Sequence, residues 1–154
     1  MIKLITPLDT VDNAANYEVG TRATVRGGNE YIYLPGVASC AKYDWVSYIT
    51  AANGLSYGSV TRLTNTLAGN IAIAQGAIVS NKYGWFLIRG VGWGNVGDTV
   101  SSGSALYSCG TTATVTTTAE SYMCIHGAFP IGTGASGGTG KFFVRYPFLL
   151  GQKQ

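Results

Sequence analysis

Short runs of β-forming residues recur from Glu18 to the end of the chain, and glycine, asparagine or proline separates most of them. Valine, isoleucine, threonine and aromatic residues dominate the runs, as is typical of pleated, half-buried strands. The runs follow one another about every twelve residues, a spacing that favours a sandwich or a barrel. We therefore predict an all-β fold, a single small β-sandwich or barrel of the jelly-roll-like kind.

The predicted strands are Glu18–Val25, Glu30–Leu34, Trp45–Thr50, Val60–Leu63, Ile71–Ala77, Tyr83–Arg89, Thr99–Ser101, Ala105–Tyr107, Thr112–Thr117, Met123–Pro130 and Lys141–Pro147. Tyr83–Arg89 is apolar on both faces, so it should be the most buried strand or one that meets a partner. Asn81–Lys82 predicts a hairpin turn before it. Thr112–Thr117 alternates threonine with alanine and valine, which indicates one wet face. A short helix near Val60–Leu67 is the alternative there, since Val60, Leu63 and Leu67 would share one helical face.

Composition supports one folded domain. The chain has 154 residues, of which 46% are hydrophobic and 11% are charged. A disordered chain has the reverse balance, and a coiled coil needs many more charged residues. A chain of this length buries about two-thirds of its unfolded surface, which is enough for a hydrophobic core.

The first 17 residues differ from the rest. Proline, aspartate and asparagine interrupt any period, and apolar residues lie between them, at Ile2, Leu4, Ile5, Leu8 and Val11. We interpret residues 1–17 as an extended N-terminal arm and residues 18–154 as the β domain; a frayed tail is the alternative. Because exposed apolar side chains are costly in water, the arm is expected to dock on a partner. Deleting residues 1–12 should then leave the fold intact and weaken partner binding.

The charge pattern restricts the partners. The net charge of +3 comes from scattered residues, so we expect no nucleic-acid partner, which would need a basic stripe. No apolar run is long enough for a membrane span, and the N-terminus lacks a signal-peptide pattern. The three cysteines are odd in number and contain no CxxC pair. Synthesis in a reducing cytoplasm with free thiols is the simplest interpretation, and a surface so poor in charge favours self-association.

Candidate chemical motifs are weak. Gly132-Thr-Gly134-Ala-Ser-Gly137 matches a dinucleotide-binding pattern, but a strand follows it where a helix is needed, so we interpret it as a hairpin loop. Cys124 and His126 would share a strand face about 7 Å apart, too far for a nucleophile and its base. The seven carboxylates show no pairing, and the cysteines lack zinc-ligand spacing. We predict no catalytic, cofactor-binding or metal-binding residues.

The eighteen aromatic residues, ten Tyr, five Phe and three Trp, allow three interpretations. They form an aromatic core, an oligomer interface, or a sugar-stacking platform that exposes Tyr31, Tyr33, Trp85 or Trp93. Trp93 is the best candidate for exposure, because its glycine-rich segment Gly90–Asn95 cannot bury it alone.

About half of the chain, Gly69–Pro147, resembles small virion proteins of tailed phages. The shared features are the Tyr83-Gly-Trp85 strand, Gly97-Asp-Thr-Val100 followed by Gly103-Ser-Ala-Leu-Tyr107, and the closing glycine-rich loop and strand of Ile125–Pro147. The family is that of the tailed-bacteriophage head decoration, or capsid cement, proteins. The resemblance implies a decoration-protein-like β fold without a catalytic residue.

It also implies a function: binding to the outer surface of the phage head and bridging capsomers. The expected partners are the major capsid protein and further copies of the chain, as a homotrimer on the virion exterior. The interface is expected to include the apolar arm residues and Arg22, Arg26, Arg89 and Trp93. The alternative is a carbohydrate- or receptor-binding β module of a virion, which the aromatic residues favour.

Overall fold

The computed structural model describes residues 2–3, 7–50, 57–64, 69–119 and 123–149. Its strands are β1 (Ile2–Lys3), β2 (Arg22–Thr24), β3 (Glu30–Pro35), β4 (Trp45–Thr50), β5 (Tyr57–Arg62), β6 (Gly69–Ala74), β7 (Tyr83–Asn95), β8 (Leu106–Ser108), β9 (Val115–Thr116), β10 (Cys124–Pro130) and β11 (Thr139–Leu149). These described residues contain no helix, so the all-β prediction is confirmed. In particular, no described helix has the length and apolar character needed to cross a membrane.

The strands form one connected sheet in the order β1-β2-β3-β7-β6-β11-β10-β8-β9, with β4 attached to β6 and β5 to β4. The β1–β2 pair is parallel and the other described pairs are antiparallel. The long strand β7 connects two layers: its first half pairs with β3 and β6, and its second half with β11. The sheet does not close into a barrel, so the fold is sandwich-like.

Two hydrophobic cores lie on opposite sides of β3 and the first half of β7. Tyr33 and Trp85 face the first core, where Trp45 meets Phe142 edge-to-face with ring centroids 5.1 Å apart. Phe86 and its neighbours face the second core. Because both sides of residues 84–88 are covered, this part of the strand carries no polar alternation, and its predicted burial is confirmed, whereas Arg89 at its end is exposed.

Gly94 permits the close contact between β7 and Trp45. A Cβ atom at Gly94 would lie 2.6 Å from Nε1 of Trp45, closer than real Cβ contacts come. The indole Nε1 donates a hydrogen bond to the carbonyl of Asn95, 3.1 Å away. The absence of a side chain at Gly94 therefore lets the largest residue of the first core sit against the strand backbone.

Several local predictions differ from the structure. The helix suggested near Val60–Leu67 is wrong where it can be compared, because Tyr57–Arg62 forms β5 against β4, and residues 65–68 lie outside the described residues. Thr99–Ser101 makes only an isolated bridge, and Glu18–Val25 shortens to β2. Within Thr112–Thr117 only β9 is a strand, and its threonine is buried rather than wet. Ala113, with a φ of 64°, interrupts the alternation that we expected.

The N-terminal arm lies against the domain over its described residues 7–17. Asp12 exchanges backbone hydrogen bonds with Tyr83 at 2.8 and 3.0 Å. Leu8 packs against the first core and Val11 against the second. The arm therefore contributes contacts within its own chain.

Candidate partner-binding face

The side of β7, β10 and β11 that points away from the first core carries exposed apolar side chains. Alternation on β11 turns Phe142 and Val144 inward and Lys141, Phe143 and Arg145 outward. We call the outward set the outer face; it comprises Arg89, Val91, Trp93, His126, Phe129, Ile131, Lys141, Phe143, Arg145 and Phe148. Each of these side chains is exposed.

Strand register places these side chains in rows across the sheet. Val91 lies opposite Phe143, which lies opposite Phe129, so three apolar side chains cross three neighbouring strands. Trp93 lies opposite Lys141 in the next row. At the other end the ring of Phe148 stacks on His126 with centroids 5.2 Å apart. Directly opposed side chains lie about 5 Å apart, so Val91, Phe143 and Phe129 form a contiguous apolar strip across the three strands.

The charges of the outer face have one sign. Arg89, Lys141 and Arg145 are the charged members, and none of its residues is a carboxylate. Arg89 and Arg145 lie directly opposite each other. The face thus combines aromatic and aliphatic side chains with arginine and lysine.

Glu30 offsets the repulsion between the two arginines from beneath. Its carboxylate is 4% exposed and accepts hydrogen bonds from Nη1 of Arg89 at 2.7 Å and from the hydroxyl of Tyr146 at 2.5 Å. These interactions, with that from Tyr146 the stronger, hold the pKa of Glu30 below its ordinary value despite its burial. Arg22 adds a positive charge 5.7 Å above the Tyr146 ring.

The predicted interface residues are dispersed. Trp93, 46% exposed, and Arg89 lie on the outer face, whereas Arg22 and Arg26 are exposed in and after β2. Ile2 lies in β1, paired with Ala23 of β2. Leu4 and Ile5 lie outside the described residues. Leu8 packs against the first core of its own chain, so its side chain is not available as an apolar contact for a partner.

Three of the aromatic residues considered for a sugar-stacking platform are core residues. Tyr31, Tyr33 and Trp85 are buried, because β3 and the first half of β7 are covered on both sides. Only Trp93 of that set presents its ring to solvent.

Sequence reasoning missed the apolar members of the outer face on β10 and β11. Phe129, at 50% the most exposed of them, was assigned only to a strand, as was Phe143. The runs Ala128–Ile131 and Phe142–Val144 are apolar at every position, and that lack of alternation is a signal of exposed apolar residues on one side. Which side of β10 and β11 faces solvent could be decided only once the position of the first core was known.

A second feature is a polar cleft at the end of β7. Its floor contains Asp44, Arg62 and Asn95, and its walls are the segments Thr111–Thr114 and Ser136–Gly138. Asp44 is 2% exposed and accepts hydrogen bonds from Nε of Arg62 at 2.9 Å and from Nδ2 of Asn95 at 2.8 Å. The buried carboxylate is thus paired and hydrogen-bonded, as such a group must be.

The weak chemical motifs have structural roles here. The glycine-rich segment Gly132–Gly137 connects β10 to β11 and is followed by a strand, which confirms the hairpin interpretation. His126 stacks on Phe148, and Cys124 is partly buried on the same strand. Burial raises the pKa of the Cys40 thiol to about 11. Within the ranges the structure describes, no three histidine, cysteine, aspartate or glutamate side chains lie close enough to hold a metal ion.

Comparison with known proteins returned no family model, no curated protein and no solved structure that matches this chain.

Proposed function

We propose that this chain is a structural virion protein, a capsid decoration or cement protein that binds the outer surface of a tailed-phage head. It would be made in the host cytoplasm, assemble as a homotrimer, and stabilise the shell by bridging capsomers, without catalysis. The observation that carries the proposal is the outer face. A contiguous exposed apolar patch on a folded domain is typical of a protein–protein contact.

The composition of the outer face supports a protein partner. Aromatic residues and arginine are enriched in interface cores, and Trp93, Phe129 and Arg145 are of these types. The residues that resemble decoration proteins, Gly69–Pro147, include all of β7 and β10 and most of β11. The segment with the resemblance therefore builds the face.

Charge favours the shell as the occupant of the outer face. A second copy placed symmetrically on this face would bring Lys141 and Arg145 against the same cations, and like-charge contacts are costly. A capsid surface that presents carboxylates beside apolar residues would complement it. Self-association of the trimer then uses another surface.

Binding alone is sufficient for the mechanism. A protein that binds the assembled shell and not its separated subunits stabilises the shell by mass action. When three copies are held together, each contact raises the effective concentration of the next, so modest interfaces become collectively strong.

The test is addition of purified protein to expanded phage shells that lack it, followed by sedimentation, with light scattering for the oligomeric state. We expect a trimer that co-sediments with shells and raises their melting temperature. Phe143→Thr should weaken shell binding at least about tenfold, as for a central interface aromatic. Val79→Thr is the matched control, since Val79 is exposed and apolar but lies between β6 and β7. A monomer that ignores shells would overturn the proposal.

A further inference from the structure

The polar cleft at the end of β7 is large enough to hold a small molecule. Its volume is about 490 Å³, within the range usual for ligand pockets. The threonine-rich segment Thr111–Thr114 and the glycine-rich segment Ser136–Gly138 lie on its two sides. Neither segment has a role in the outer face described above.

The hydrogen bonds of the floor orient its free groups. Nδ2 of Asn95 donates to Asp44 at 2.8 Å and to the carbonyl of Lys42 at 3.3 Å, which fixes the amide and leaves its Oδ1 without a donor among the described residues. Arg62 uses Nε for Asp44, so within the same residues its two terminal nitrogens have no acceptor. The floor therefore offers one acceptor and a pair of donors.

The walls add further acceptors. The hydroxyl of Thr114 donates to the carbonyl of Thr111 at 2.7 Å, and that of Ser136 donates to the carbonyl of Gly97 at 3.1 Å. With their hydrogens engaged, both oxygens present lone pairs only. A ligand must donate to these oxygens and accept from Arg62, which neighbouring hydroxyl groups do.

The charges of the described lining residues are unfavourable for binding an ion. Arg62 is already paired with Asp44, and the other described lining residues are neutral. A phosphate or sulfate would meet a buried carboxylate without a spare cation, and a cation would meet the guanidinium. The cleft therefore suits a neutral ligand rich in hydroxyl groups.

Trp93 does not line the cleft, but it is an exposed aromatic residue near Asn95 on β7. It lies two residues before Asn95 on β7, and Gly94 between them faces Trp45 in the first core. Trp93 and Asn95 therefore leave the same side of the strand, about 7 Å apart. The CH groups of a sugar ring can pack on the exposed indole while its hydroxyl groups reach the cleft.

We propose that the Asp44–Arg62–Asn95 cleft, with Trp93 beside it on β7, is a binding site for a neutral saccharide. This activity goes beyond shell binding, and either one can exist without the other.

The test is titration with neutral sugars, followed by tryptophan fluorescence and by amide chemical shifts. The panel is glucose, galactose, mannose, N-acetylglucosamine, lactose and cellobiose, each up to about 50 mM because single-site sugar affinities near millimolar are expected. Because the buried Trp45 is hydrogen-bonded to the backbone of Asn95, a fluorescence change is assigned to Trp93 only if it is lost in Trp93→Ala. We expect at least one sugar to saturate, with shifts at Asn95, Thr112 and Gly137.

Two variants test the site. Trp93→Ala, at an exposed position, and Arg62→Lys, which keeps the charge facing Asp44, should each weaken the affinity at least about tenfold. Val79→Ala, exposed and apolar between β6 and β7, is the matched control and should bind sugar unchanged. No saturation by any sugar, affinity unchanged in both folded variants, or the same shifts with sodium sulfate would each overturn the proposal. Shell binding is scored separately through Phe143→Thr, so the two proposals fail independently.

Discussion

At the scale of single residues, Glu30 shows how one buried carboxylate organises a charged surface. It is the only carboxylate that touches Arg89 in the described structure, and it also accepts a hydrogen bond from the hydroxyl of Tyr146. The two donors come from β7 and β11, so the carboxylate connects β3 to two of the three strands of the outer face. The pKa of Glu30 is lowered because these donors stabilise its charged form.

Acidification should remove the stability that the ionised carboxylate of Glu30 contributes to the fold. A carboxylate with a lowered pKa in the folded state stabilises the fold above its ordinary value of 4.5, and the contribution is lost as pH falls through the folded value. We expect the melting temperature to fall between about pH 5 and pH 3. Glu30→Gln should melt a few degrees lower than the wild type at neutral pH and show a smaller acid-induced fall, measured by circular dichroism. Glu18→Gln, at an exposed carboxylate, is the control. Parallel pH profiles for wild type and Glu30→Gln would contradict this assignment.

At the scale of elements, the N-terminal arm is held by a buried tyrosine. The hydroxyl of Tyr33 donates to Oδ2 of Asp12 at 2.6 Å and accepts from the backbone N–H of Asn16 at 3.2 Å. The ring of Tyr17 packs on Tyr33 and Trp85 with centroids 5.2 Å from each. Burial raises the pKa of the Tyr33 hydroxyl, and Asp12 raises it further, so this group stays protonated as a donor.

These contacts change the expected result of truncation. Deleting residues 1–12 removes the acceptor of a buried hydroxyl, both backbone bonds to Tyr83 and the packing of Leu8 and Val11. We expect the free energy of unfolding to fall by about 2–4 kcal/mol in urea denaturation. Tyr33→Phe, which removes only the hydroxyl, should cost about 1 kcal/mol. If the truncated chain is as stable as the full chain, the arm does not stabilise the fold, and the partner-binding role predicted from the sequence is favoured instead.

The close contact between β7 and Trp45 predicts how a side chain at Gly94 would affect stability. Gly94→Ala should destabilise the fold by about 1–3 kcal/mol, because the added methyl must displace the indole or the strand. Gly132→Ala is the matched control, since its nearest new neighbour would be the Lys141 Cβ at 3.9 Å. Chemical denaturation of both variants measures the difference, and equal stabilities would contradict the packing described here.

At the scale of the whole molecule, the net charge is small but the charged residues are unevenly distributed over the surface. The net charge is only +3, yet the described charged residues of the outer face are all cationic. A partner that complements this face is bound partly by electrostatic attraction, which salt screens. Apolar contacts respond much less to moderate salt.

Shell binding should therefore fall as salt rises. Raising the salt from about 50 to about 500 mM should weaken co-sedimentation severalfold. Lys141→Glu with Arg145→Glu should reduce binding further and remove most of the salt dependence, whereas Lys82→Glu, at the β6–β7 turn, should not. Binding of the double variant that equals that of the wild type would show that the face does not contact the shell.

Most strand-forming runs were predictable from the sequence, whereas many of their boundaries were not. Trp45–Thr50 matches β4, and Glu30–Leu34 and Tyr83–Arg89 lie within β3 and β7, because β-branched and aromatic residues ended by turn residues leave few alternatives. The exposure of Trp93 was also predictable, since glycines surround it. Predictions of the short strands were wrong where strand pairing, rather than residue propensity, decides the extent of the strand. Ala113, for example, adopts a positive φ and interrupts the expected strand.

Local sequence thus determined the β class, the hairpin nature of the glycine-rich loop and the apolar character of the first half of β7, because these depend on residue type and period. Tertiary structure alone decided which apolar residues face solvent, since both sides of β10 and β11 look hydrophobic until one side is placed on the first core. It also decided the polar cleft, whose residues Asp44, Arg62, Asn95 and Ser136 come from four distant segments. Their proximity follows from strand pairing, and no spacing along the chain encodes it.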